Sequence, residues 1–99
     1  MFKSKKREAF FETVQAFYDN HRTRLSPNLT TKLIDTLKGV KNGYKISYLA
    51  YQLYPYVIKE LSSSTDNFND LNTFKQYLEK IRWKYYAGLI FGLPFVSFR

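Results

Sequence analysis

Between residues 44 and 61 the chain reads YKISYLAYQLYPYVIKEL, with Ile46, Leu49, Ala50, Leu53, Val57 and Leu61 recurring every three or four positions. That spacing belongs to one face of an α-helix, whereas a half-buried strand would alternate strictly. Pro55 interrupts the run and removes one backbone donor, yet the stripe keeps its phase on both sides. The spacing therefore predicts one helix bent at the proline rather than two helices. So long an apolar face must be covered by other helices.

Three further segments have the same character. Phe10, Val14, Phe17 and Tyr18 form a stripe within residues 4–20, opened by Ser4 and closed near Asn20. Ser26–Pro27 reads as an N-cap followed by proline at the first helical position. Leu29, Leu33, Leu37 and Val40 follow, with Ile34 beside them, and Asn42–Gly43 supplies the stop. After SSSTDNFND, Asn67 and Asp70 resemble a helix start, and Leu71, Phe74, Leu78, Ile81 and Tyr85 line one face. Gly88, Gly92 and Pro94 should end that helix between Tyr86 and Gly92. No strand alternation and no internal repeat is visible. Four helices of about 15–20 residues joined by short loops predict an all-α fold, an antiparallel four-helix bundle. It is read as one domain over residues 1–99, with an aromatic C-terminal tail at 87–99.

Chemistry is sparse. There is no cysteine, which excludes disulfides and thiolate metal sites and suits a reducing compartment. The single histidine, His21, leaves too few ligands for most zinc constellations and lies in a polar stretch without a nucleophile nearby. Glu8 with Glu12, and Asp66 with Asp70, are pairs four apart, but both sit where acidic residues suit a helix start. Facing Glu-x-x-His pairs and phosphate-cradling glycine loops are both missing. The sequence argues against an enzyme, and no cofactor is expected.

The net charge of +8 points to anionic partners, with clusters at KSKKR (residues 3–7) and RWK (82–84). Acidic Glu8 and Glu12 break up what would be a signal peptide, and no window reaches the ~20 apolar residues of a membrane span. Three binding readings compete. The KNGYK turn (residues 41–45) is loosely like a helix-turn-helix, and a small basic nucleic-acid-binding regulator is the alternative to weigh. Its reading helix, however, offers only Lys45, Gln52 and Lys59 among tyrosines and aliphatics, which argues against nucleic acid as the partner. A membrane surface suits Trp83, Tyr85 and Tyr86 beside Arg82 and Lys84, with the apolar tail following. A protein partner suits the tyrosines Tyr44, Tyr48 and Tyr51, whose plainer role is to cover the bundle flank, and it also suits a tail carrying Phe91, Phe95 and Phe98.

The helix order EAFFETVQAFYDN, LTTKLIDTLKGV, YKISYLAYQLYPYVIKEL, LNTFKQYLEKI and the aromatic tail resembles the immunity proteins of pediocin-like bacteriocins, the enterocin A immunity group. The likeness lies in pattern and helix order over nearly the whole chain, and the tail AGLIFGLPFVSFR is more apolar than is usual in that group. The resemblance implies a cytoplasmic four-helix bundle of a Gram-positive producer that protects the cell from its own pore-forming peptide. It would act in peripheral contact with the inner membrane face, on a complex between the bacteriocin and a permease of the mannose phosphotransferase type. The resemblance also implies specificity in the C-terminal half. Contact is expected from Arg82, Trp83, Lys84, Tyr85, Tyr86, Phe91, Phe95 and Phe98, the rings as anchors and the cations as attraction to an anionic leaflet.

Overall fold

A computed structural model describes residues 4–63 and 68–87, with side chains as far as Trp83. It contains α1 (Lys5–His21), α2 (Pro27–Lys41), α3 (Ile46–Ser63) and α4 (Asn69–Ala87). The termini follow local chemistry. Ser4 caps α1, its hydroxyl accepting from the Arg7 N–H at 3.2 Å. Ser26 caps α2 ahead of Pro27, as the sequence predicts. At the other end of α2, Gly43 adopts φ +90°, a conformation that costs glycine nothing. This lets the Tyr44 N–H reach the Gly39 carbonyl and the Gly43 N–H reach Val40, which together form a Schellman cap. α3 runs unbroken through Pro55, which lies on the exposed side where water can reach the carbonyl its missing N–H leaves over.

Three sets of contacts fix the helix directions. The start of α1 meets the end of α2, where Arg7 bonds to the Val40 carbonyl. The start of α2 meets the end of α3, where Ser26 bonds to Glu60. Along α1, Phe10, Phe17 and His21 meet Tyr77, Phe74 and Asp70 of α4, so the two chains run oppositely. Together these give an up-down-up-down bundle, the architecture expected for short connections. The core is a single cluster, with Phe10, Val14, Leu29, Leu33, Leu53, Val57, Leu71 and Leu78 at or near zero exposure.

Two details differ from the apolar pattern. The buried face of α2 includes Thr36 and Gly39, while Leu37 is only partly buried and Ile34 is exposed. The Thr36 hydroxyl donates to the Lys32 carbonyl one turn back, so it is buried without an unmet donor. Gly39 faces α3 so closely that a Cβ there would stand 2.6 Å from Leu49 Cδ2. The second difference is the start of α4: the helix begins at Asn69, and the Phe68 carbonyl accepts from the Asn72 N–H. Asn67, expected to open the helix, lies outside the described residues. Phe68 is buried beneath Arg24 and against His21, so packing positions this end of the helix.

Arg7 is the main polar tie. Its guanidinium donates to the Val40 carbonyl at 2.7 Å and the Tyr44 carbonyl at 2.8 Å, placing a cation at the negative end of α2. Arg7→Ala is expected to destabilise the fold by about 2 kcal/mol in urea melts, with Arg7→Lys recovering only part because the two-pronged geometry is lost.

Candidate partner-binding surface

The expected contact residues fall into three groups. Arg82 and Trp83 lie on α4 with described side chains, and Lys84, Tyr85 and Tyr86 lie in the last turns of its backbone. Phe91, Phe95 and Phe98, with the rest of the tail beyond residue 87, lie outside the described residues. Trp83 is 57% exposed, the largest value among the big apolar side chains described.

Arg82 has a different setting from the one expected of a surface cation. Its guanidinium carbon stacks over the Tyr54 ring at 3.9 Å, and the Tyr54 hydroxyl donates to Glu79 at 2.6 Å. Glu79 also pairs with Lys75 at 3.5 Å, the four-apart pair with lysine first that the sequence shows. This network joins α3 to α4, so Arg82 is part of the scaffold as well as part of the surface. The Tyr54 hydrogen bond holds the Glu79 carboxyl below its ordinary value, helped by Lys75 and Arg82 and opposed by burial. Burial, and then the carboxylate, push the Tyr54 hydroxyl up.

The sequence reading missed a groove where the starts of α1 and α3 meet the second half of α4. It has a volume of about 550 Å³ and is floored by Ala9, Ile46, Tyr77 and Ile81. Lys6, Arg7, Lys45 and Lys80 rim it, with no carboxylate among the described lining residues. The apolar spacing puts Ile46 and Ile81 on core stripes, and both are half-buried against the core edge. The signal is positional: in an antiparallel bundle, the first apolar residue of α3, Ile46, and the last half-buried apolar residue described on α4, Ile81, lie at the same end. Lys80 also lines a neighbouring shallow depression with Lys75, Gln76, Glu79, Arg82 and Trp83, so it stands between the groove and the tryptophan.

Tyr44 lies in the turn between α2 and α3, and Tyr48 and Tyr51 lie in the first turns of α3. Tyr44 and Tyr51 are exposed on the flank, and the Tyr48 hydroxyl accepts from Gln52 at 2.7 Å. Gln52, the one amide of the helix-turn-helix reading, is therefore engaged within its own helix. His21, expected at a helix exit in a polar loop, is the last residue of α1, packed on Phe17 and Phe68 with Nε2 3.1 Å from Asp70. Among the described residues no group of three or more potential metal ligands occurs, and no helix is long and apolar enough to cross a membrane.

No protein-family model, curated protein or solved structure matches this chain. The functional reading accordingly rests on the residues and their arrangement.

The Glu79 network has a pH signature. Because the folded carboxyl titrates below its ordinary value of 4.5, its contribution is present at neutral pH and is lost as pH falls through the folded value. The raised Tyr54 hydroxyl contributes below its ordinary value of 10.0, and that contribution is lost as pH rises beyond it. Tm measured against pH should fall less steeply on the acid side in Glu79→Gln, and on both sides in Tyr54→Phe, than in the wild type. Superimposable profiles would show that the network carries no linkage.

Proposed function

We propose that this chain is a bacteriocin immunity protein of the enterocin A type. It protects a Gram-positive producer by binding, without turnover, to a pore-forming pediocin-like bacteriocin held on a mannose phosphotransferase permease. It works from the cytoplasmic side, in peripheral contact with the inner membrane face. The observation that carries the reading is Trp83, 57% exposed on α4 beside Lys80 and Arg82, a few residues before the apolar tail.

The physical logic is that of a plug. Occluding a pore is stoichiometric, so the protein needs a rigid scaffold and an anchor, and no converging catalytic groups. Tryptophan and tyrosine provide anchors because large, stiff rings gain much contact for little lost freedom. Arg82, Trp83, Lys84, Tyr85 and Tyr86 form the helical part of the contact, and Phe91, Phe95 and Phe98 form its apolar extension. The cations draw the bundle to an anionic leaflet, each worth on the order of 1 kcal/mol near the surface.

Expression in a bacteriocin-sensitive strain should raise the inhibitory concentration of one pediocin-like peptide and leave unrelated pore formers unaffected. Deleting residues 87–99 should abolish protection while most of the helical circular dichroism remains. Trp83→Ala should lower protection roughly tenfold or more, the usual cost of losing an aromatic anchor. Full protection by the truncated chain would refute the role given to the tail.

A further inference from the structure

The groove between α1, α3 and α4 has a composition that selects one class of ligand. Its floor is apolar, from Ile46, Tyr77 and Ile81, and the rim cations face no carboxylate among the described lining residues. Arg7 is tied to the Val40 and Tyr44 carbonyls, so Lys6, Lys45 and Lys80, all exposed, are the cations able to follow a ligand. An apolar floor beneath ammonium groups matches an anionic amphiphile, with its charge at the rim and its chains below.

Dimensions and neighbours decide which amphiphile. On α4 the floor extends from Tyr77 to Ile81, one helical turn, whereas a docked amphipathic helix needs anchors spaced over two or three turns. A volume of about 550 Å³ suits a single headgroup with the upper part of its chains. Lys80 is shared with the shallow depression that holds Trp83, where Glu79 is the one carboxylate among the described lining residues, and tryptophan is a residue type typical of a membrane–water boundary. Basic side chains beside an indole ring are what an anionic lipid surface attracts.

We infer that this groove seats the headgroup of an anionic phospholipid and turns the α1–α3–α4 end of the bundle toward the membrane. Bound there, Lys6, Lys45 and Lys80 lie at the phosphate level, with Ile46 and Ile81 against the upper acyl chains. Trp83 enters the interface beside them. The inference deepens the membrane-contact part of the proposed function, and its test needs neither bacteriocin nor permease, so each can fail alone.

The test uses the full chain and vesicles of phosphatidylglycerol mixed into phosphatidylcholine, or of phosphatidylcholine alone. Two double variants with the same net charge are compared, K45E/K80E at the groove and K38E/K59E away from it, with helical content checked for each. The wild type should prefer the anionic vesicles. K45E/K80E should bind them at least tenfold more weakly, since each lysine near such a surface is worth about fivefold. K38E/K59E should stay within about threefold of the wild type. As the chain has one tryptophan, phosphatidylglycerol brominated on its acyl chains should quench Trp83 fluorescence in the wild type and not in K45E/K80E. Equal losses in the two double variants would reduce the effect to net charge and overturn the site. So would binding without quenching, or tighter, groove-dependent binding of an acidic amphipathic peptide, which would assign the groove to a protein helix.

Discussion

The buried stripe of α3, formed by Leu49, Ala50, Leu53 and Val57, has to be covered along its length, and the other helices are arranged to cover it. α2 closes one flank, coming nearest at Gly39, where the missing side chain makes room for Leu49. A glycine inside a helix costs about 1 kcal/mol of propensity, and here the close approach of two helices offsets it. α4 closes the other flank with Leu71, Phe74 and Leu78. α1 completes the bundle through rings, with Phe17 stacked on Phe74 at 4.3 Å and Phe10 beside Tyr77 at 6.3 Å. With no cysteine in the chain, apolar burial has to hold this arrangement, at roughly 1.5–3 kcal/mol for each large side chain removed from water.

Polar ties sit at the helix ends, where backbone groups need partners. Glu60 accepts from both the Ser26 N–H and its hydroxyl, joining the end of α3 to the start of α2 and placing an anion at a positive helix terminus. Arg7 does the converse at the other end of α2. These ties, and the rings, hold several of the cationic side chains in place without altering their charge. Arg24, Lys32, Lys41 and Arg82 lie over Phe68, Tyr56, Phe11 and Tyr54 respectively. The net charge of +8 is unchanged by these neutral partners, but the cations they hold are less able to move toward a ligand than the exposed lysines that rim the groove.

Helix number, order and most boundaries were legible because stripes, caps and stops agreed with one another. Ser4, Ser26–Pro27 and Asn42–Gly43 each marked an end that the fold uses. What could not be read were features defined by a partner helix. Thr36 and Gly39 are core residues only because α3 lies against them, and a pattern of apolar letters does not register either one. The start of α4 depends on Phe68 packing against Phe17 and His21, contacts about fifty residues apart in sequence that no local cap announces. The groove was hidden for the same reason, since its floor comes from three helices and its residues looked like ordinary core.

The neighbours Arg82 and Trp83 show how helical geometry divides a sequence cluster. Successive residues on a helix are rotated by about 100°, so two adjacent side chains face different ways. The described pair already separates: Arg82 turns toward α3 and stacks on Tyr54, whereas Trp83 turns outward beside Lys80. Lys80 and Trp83, three apart, are neighbours on α4, and Lys80 also borders the groove floored by Tyr77 and Ile81. On the other flank of α4 the Tyr54–Glu79–Arg82 network ties the helix to α3. α4 is thus the element that carries both a tie holding the bundle together and the most exposed large apolar side chain among the described residues.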